Sequence, residues 1–233
     1  MLMSVFNAIT SSQNPRVKNL VRLRDARHRR RQSKFLIEGE RELVRALRVN
    51  WPLETIYFCP EMFVTDSAME RIESIDDSRV EAVQLSPEAF QKVAYRENPD
   101  GLLAVANFRD STLDQLPLSQ TPFLLVIESV EKPGNLGALM RTANAAGVDG
   151  ILICDPVCDL YNPNAIRASQ GAFFDMPTAL TDSTTARLWL ESKSIQVIAT
   201  TPDTDKLIWE LNLNQPIAIA MGSEDVGLSD DWL

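Results

Sequence analysis

Apolar positions in the second half of the chain follow two alternating periods. Phe123-Leu-Leu-Val-Ile-Glu-Ser-Val130 is nearly continuous, as in a strand covered on both faces of a parallel sheet, and Ile151-Leu-Ile-Cys154 repeats the pattern. Between them Leu136, Leu139, Met140 and Ala143 recur at helical spacing, and Gly147 supplies a C-cap. The unit reads strand, loop, helix, strand. Two further strands follow, Ile195-Gln-Val-Ile-Ala-Thr200 and Ile217-Ala-Ile-Ala-Met221.

Shorter elements alternate in the first half. Asn14-Pro15 starts a helix whose apolar face is Val17, Leu20 and Val21. Phe35-Leu-Ile37 predicts a strand that enters a helix over Glu40 to Val49, with Leu43, Val44 and Leu47 inward. Strands at Thr55–Cys59, Val80–Val83 and Leu102–Ala106 are separated by helices near 65–74 and 87–95. The apolar pattern lapses from Arg109 to Thr121, where Asp, Ser, Thr, Gln and two prolines take over. An α/β protein of two domains is expected: 1–110, a linker at 111–121, and 122–233.

Composition narrows the class. An apolar fraction of 45% in 233 residues suits packed domains, and no run approaches the roughly 20 apolar residues of a membrane span. The N-terminus lacks a signal peptide's apolar core, so a cytoplasmic protein is expected. Cys59, Cys154 and Cys158 form no metal or disulfide framework and read as thiols in a reducing compartment.

The net charge of -9 conceals an asymmetry. Residues 14–48 hold 12 Lys/Arg against 4 Asp/Glu, a net +8, which leaves -17 for the remainder. Arg16, Lys18, Arg22, Arg29, Arg30 and Arg31 belong to this basic stretch and are candidate RNA-phosphate contacts. The bland alternative is a solvated amphipathic helix followed by a basic linker. No aromatic is interleaved with the arginines, so phosphate contact rather than base reading is expected.

Candidate chemistry gathers where the first apolar run of the second half meets its helix, Glu131-Lys-Pro-Gly-Asn-Leu-Gly-Ala-Leu-Met-Arg-Thr-Ala-Asn-Ala-Ala-Gly147. Strand-to-helix junctions of this kind are where α/β proteins place ligands. Gly134 would let backbone approach a ligand, while Gly137, Arg141 and Asn144 share one helix face. Neither G-x-G-x-x-G nor G-x-x-x-x-G-K-[ST] fits, which argues against nicotinamide or nucleoside triphosphate. Taken alone, Pro-Gly-Asn could equally be a turn and Arg141 a solvated helix residue.

Three blocks in order carry a resemblance. Pro133-Gly-Asn-Leu-Gly-Ala-Leu-Met-Arg-Thr-Ala143 resembles the first signature of the SpoU/TrmH family of RNA 2′-O-ribose methyltransferases, of the SPOUT superfamily. Asn162-Pro-Asn-Ala-Ile-Arg-Ala-Ser-Gln-Gly-Ala-Phe-Phe174 is similar to the family's middle segment, and Ile217-Ala-Ile-Ala-Met-Gly-Ser-Glu-Asp-Val-Gly-Leu-Ser229 to its second signature. Glu38-Gly-Glu-Arg-Glu-Leu-Val-Arg45 resembles the small ribosomal-protein-like α/β substrate-binding domain that precedes many of these catalytic domains.

The resemblance implies a knotted α/β catalytic domain, S-adenosylmethionine as cofactor, no metal, and a homodimer formed through the C-terminal domain. It assigns Asn135, Arg141 and Glu224 to catalysis, Thr200, Met221, Gly222 and Gly227 to the cofactor, and Arg167 to RNA. A guanidinium stays protonated, so Arg141 is expected to bind the target phosphate and stabilise the developing alkoxide rather than act as a base. The only histidine, His28, lies in the basic run, so no histidine base is expected in the second half. The family's third signature, which completes the knot, has no counterpart before Leu233, so the knot is expected to be incomplete over these residues and the chain shortened at its C-terminus. Ribosomal RNA is the expected substrate ahead of tRNA; a non-catalytic RNA-binding or ribosome-assembly factor is the alternative from another class.

Overall fold

The computed structural model describes residues 6–75 and 80–233. Chain contacts divide it into two units: Met1–Arg109 with Tyr161–Phe174, and Asp110–Leu160 with Asp175–Leu233. In chain order the elements begin β1 (Asn7–Ile9), α1 (Pro15–Arg22), α2 (Ala26–Gln32), β2 (Lys34–Glu38), α3 (Glu40–Arg48), β3 (Leu53–Phe58), α4 (Ala68–Glu73), β4 (Glu81–Leu85), α5 (Pro87–Val93) and β5 (Leu102–Asn107). They continue with β6 (Phe123–Glu128), α6 (Pro133–Ala145), β7 (Gly150–Cys154), α7 (Pro163–Ala168), α8 (Ala172–Asp175), β8 (Thr178–Thr181), α9 (Ser183–Ser192), β9 (Gln196–Ala199) and β10 (Ile217–Met221).

The first unit is built on a mixed sheet of order β1-β4-β3-β5-β2. β1, β4 and β3 run parallel, with Tyr57 opposite Val83, while β5 is antiparallel to β3 and β2. α1 starts as expected, with Pro15 at its first position and the Asn14 side chain accepting from the Arg16 amide. Val17, Leu20 and Leu23 are buried in one cluster with Phe90 and Val93.

The structure refines two readings of this half. The basic stretch after α1, for which a linker is the alternative reading, is the helix α2, capped by Asp25, whose carboxylate accepts from the amides of Arg27 and His28. In α3 the buried residues are Glu42, Leu43 and Ala46, while Val44 and Leu47 are only half-buried. Glu42 can turn inward because Arg41 and Arg96 neutralise its carboxylate at 2.7 and 2.9 Å.

Tyr161–Phe174 joins this unit through aromatic packing. Phe108 and Tyr161 stack at 3.8 Å, and Phe173 packs edge-on against Phe35 at 5.8 Å. The Tyr161 hydroxyl also accepts from the Arg109 amide and donates to its carbonyl, both at 3.1 Å.

The second unit is a fully parallel sheet of order β8-β7-β6-β10-β9. From β6 the chain builds outward through β7 and β8, then crosses to the opposite edge for β9 and inserts β10 beside β6. The reversal between β6 and β10 makes their carboxyl ends the natural ligand crevice of such a sheet. Among the described residues no helix is long and apolar enough to cross a membrane.

Helix α6 includes what the sequence suggested as a loop. Pro133 occupies its first turn, and the Lys132 carbonyl accepts from the amides of Asn135 and Leu136 at 3.0 and 3.1 Å. Gly134 and Asn135 are therefore held on a helix rather than a loop. Gly147 has φ +72° just beyond the helix, the left-handed geometry its C-cap role requires.

Candidate functional site

The carboxyl ends of β6 and β10 open into a crevice of about 360 Å³. Its apolar floor comes from Ile127, Val130, Ala138, Leu139 and Met221, and its polar rim from Lys132, Asn135, Thr142, Glu224 and Asp225. Asn135, Ala138, Leu139 and Thr142 lie at helical spacing, so one stripe of α6 forms a wall. The volume falls within the usual range for small-molecule sites.

On the rim, Glu224 joins two stretches that are far apart in sequence. One carboxylate oxygen accepts from the Lys132 ammonium and the other from the Asn135 side-chain amide. Lys132 lowers the Glu224 pKa through this bond and its charge, with a smaller contribution from Asn135. Glu224 reciprocally raises that of Lys132. Both carboxylate and ammonium are thus fixed in their charged forms near neutral pH. Because the Asn135 NH2 group faces Glu224, its carbonyl oxygen is the end available to accept a hydrogen bond from a ligand.

Gly222 and Gly227 shape the loop that carries Glu224. Ser223 and Gly227 exchange backbone hydrogen bonds at 3.1 and 3.2 Å, folding the loop back on itself. A Cβ on Gly222 would lie 2.0 Å from the Gly227 carbonyl carbon, so the close approach that requires glycine is between two parts of this loop. Gly227 has φ +74° with open space around it, and its requirement is conformational.

The loop ends on a buried anchor that the sequence did not reveal. Glu128, 4% exposed, accepts from the Ser229 amide at 2.7 Å, the Ser229 hydroxyl at 2.6 Å and the Ser183 hydroxyl at 2.7 Å. Burial pushes its carboxyl upward, but the bonds from Ser229, Ser183 and Trp232 outweigh that effect and leave it lowered.

The remaining expected site residues are dispersed. Arg141 is exposed on a neighbouring stripe of α6 and lines no part of the crevice. Met221 and Gly222 line it; Thr200 and Gly227 do not. The Thr200 amide and hydroxyl both donate to the Ala220 carbonyl, at 3.0 and 2.9 Å, tying β9 to β10.

In the first unit Lys18, Arg22, Arg30 and Arg31 are exposed. Arg16 is exposed but pairs with Glu81 at 2.8 Å. Arg29 is corrected: it is 1% exposed, and its guanidinium donates to the carbonyls of Leu23 and Arg24 at 2.9 and 2.6 Å. It holds α2 to the end of α1 and presents no charge to a phosphate. Arg167 is exposed, donating to the Asn164 side-chain oxygen Oδ1 at 3.2 Å.

Lys132 belongs to the site without any expectation from the sequence. Its one sequence signal is a cation three residues before Asn135, and its carboxylate partner lies 92 residues onward. The cysteines take no part. Cys59 and Cys154 are buried free thiols, pushed up to about 11 and about 12 chiefly by that burial.

Known proteins match across both units. Residues 14–104 match the MRM3-like substrate binding domain, and residues 122–233 match the SpoU rRNA Methylase family. An uncharacterized tRNA/rRNA methyltransferase of Synechocystis is 32% identical over 232 residues, covering 98% of this chain and 82% of its own. The 23S rRNA (uridine(2479)-2′-O)-methyltransferase of Streptomyces viridochromogenes is 25% identical over 230 residues, covering 95% and 79%. The crystal structure of an AdoMet-bound rRNA methyltransferase from Sinorhizobium meliloti superimposes with a TM-score of 0.87 at 25% identity, covering 96% and 84%.

Proposed function

The chain belongs to the SpoU rRNA methylase family, and on that premise we propose that its β6–β10 crevice is where a ribose 2′-hydroxyl of ribosomal RNA is methylated. The protein is an RNA 2′-O-ribose methyltransferase that uses S-adenosylmethionine. The observation that carries the siting is the convergence of Asn135 and Glu224 on one rim of the crevice.

The residues present suit the cofactor. Apolar Ile127, Val130 and Leu139 offer surface to an adenosine or thioether, Met221 and Gly222 offer backbone, and the Glu131, Glu224 and Asp225 carboxylates outnumber the Lys132 ammonium and so favour a sulfonium cation. S-adenosylmethionine supplies the electrophilic methyl group. The chain's own contribution is alignment and charge. Asn135, turned by Glu224, accepts a hydrogen bond from the 2′-hydroxyl through its side-chain carbonyl oxygen and orients the hydroxyl for in-line attack, the proton released as the O–methyl bond forms passing to solvent water. Arg141 reaches the target phosphate from the adjacent stripe of α6 and stabilises negative charge as the alkoxide develops. Thr200 and Gly227 serve the cofactor indirectly, through the β9–β10 tie and the return of the loop.

Lys18, Arg22, Arg30 and Arg31, with Arg16 and Arg167, supply the phosphate contacts of the first unit. The family's knot and a homodimer through the second unit belong to the same reading. Exposed Leu207, Ile208, Trp209 and Val226 support an apolar contact there. Work on ribosomal RNA favours the cytoplasm as its location.

The deciding measurement is transfer of isotopic methyl from S-adenosylmethionine to ribosomal RNA. Transfer is expected to disappear when the acceptor 2′-hydroxyl is replaced by hydrogen. Methylation that persists on the deoxy acceptor would overturn ribose chemistry.

A further inference from the structure

We propose that Tyr95 is a stacking platform for an unpaired base of the RNA substrate, held rigid by the Glu38-Gly39 motif. This rests on the RNA methyltransferase reading and goes beyond it by assigning base contact to the first unit.

The residues spent on positioning this loop are unusual for a surface turn. Glu38 sits at the end of β2, and its carboxylate accepts from the amides of Tyr95 and Arg96 at 2.8 and 3.1 Å. The Arg96 guanidinium returns to the Glu38 carbonyl at 3.0 Å, to buried Glu42 at 2.9 Å and to Asp100 at 3.6 Å. Gly39, with φ +111°, leaves room for that guanidinium; a Cβ there would lie 2.6 Å from it. This network fixes the backbone on either side of Tyr95.

The side chain so presented is an aromatic, 40% exposed. Arg24 lies over the ring at 5.9 Å, anchored by the Lys92 and Ala94 carbonyls. The Tyr95 hydroxyl meets the Asn164 amide at 3.4 Å, and exposed Arg167 donates to the same side chain. Within one unit, then, a fixed ring lies beside a cation able to meet a phosphate. A ring and a neighbouring cation are what unpaired RNA uses for stacking and backbone contact. The basic run itself contains no such aromatic; folding brings one to Arg167 from outside it.

A short single-stranded RNA carrying 2-aminopurine reports stacking as fluorescence quenching. Wild type and Tyr95→Phe are expected to bind and quench alike. Tyr95→Leu, which keeps apolar bulk without a ring, is expected to bind about tenfold more weakly and without that quenching. The slope of log affinity against log salt should stay unchanged in it, because no cation is removed. Arg31→Ala should show the converse, a smaller slope with quenching retained. Full affinity and quenching in Tyr95→Leu would overturn the platform while leaving the methyltransferase reading intact. Absence of RNA binding by the wild type would overturn that reading and the platform with it.

Discussion

Asn135 and Glu224 stand 89 residues apart in sequence yet share a hydrogen bond on the rim of one crevice. Parallel pairing of β6 with β10 brings together the turns that follow the two strands. Lys132 holds the second oxygen of Glu224, so the orientation of Asn135 depends on a residue that need not touch the substrate.

Lys132→Met should therefore lower kcat about 10- to 100-fold, the range of a misaligned reactant, with less effect on KM. The pH profile separates alignment from simple destabilisation. Glu224 is held below its ordinary value, so its ionised contacts exist above that depressed pKa and are lost as pH falls through it. Wild-type activity should keep its acid limb below the usual glutamate value of about 4.3. Lys132→Met should move the limb upward, and single-turnover rates against pH would show it. An unmoved limb would refute the coupling.

The two loop glycines should respond differently to alanine. Gly222→Ala places Cβ 2.0 Å from backbone that cannot move independently, so the loop must reopen. A loss of about 1–3 kcal/mol is expected, with weakened cofactor binding. Gly227→Ala meets open space and bears only the left-handed conformation, at about 1–2 kcal/mol. Thermal unfolding and cofactor titration of both variants would test the order; equal cofactor affinity would overturn it.

The sequence revealed β6, α6, β7 and β10 because strands buried on both faces leave uninterrupted apolar runs and α6 keeps an apolar stripe. It hid α2, whose Ala-Arg-His-Arg-Arg-Arg-Gln has no apolar face and is held by the Asp25 cap and the inward turn of Arg29. Val44 was expected inside where Glu42 lies, because pattern reading cannot see that Arg96 arrives to neutralise a carboxylate. Tyr161–Phe174 follows the β7 region in sequence but packs by its aromatics within the first unit, a division that no local composition announces. The site was half legible. Asn135 and Glu224 lie in recognisable blocks, whereas Lys132 and Glu128 gain meaning only from partners about a hundred residues away.

Arg29 and Arg31 offer a sharp contrast within one short helix. Arg29→Ala removes buried charge-assisted bonds to two carbonyls and should cost about 2–3 kcal/mol of stability. Its effect on the salt slope of RNA binding should be nil. Arg31→Ala removes an exposed cation, should leave stability within about 0.5 kcal/mol, and should reduce the slope by roughly one. Denaturant melts paired with binding at several salt concentrations would check both; a reduced slope in a folded Arg29→Ala protein would contradict its burial.

Glu128 should act on the site through the chain rather than through the substrate. Its carboxylate gathers Ser229 and Ser183, and Trp232 donates to the same Ser183 hydroxyl at 3.2 Å. Glu128→Ala removes the acceptor of the Ser229 amide and hydroxyl and one of two acceptors of the Ser183 hydroxyl, Asp155 remaining at 2.7 Å, and should cost about 1–2 kcal/mol, loosening the segment after Gly227 first. Since the folded carboxyl is lowered, its stabilisation is present above the unfolded pKa and fades as pH falls through the folded one. Wild type should therefore lose stability in that acid window more steeply than Glu128→Gln, which keeps the shape but cannot ionise. Hydrogen exchange would locate the effect: faster exchange at Ser229 in Glu128→Ala is expected, and unchanged protection there would show that the anchor does not hold the loop.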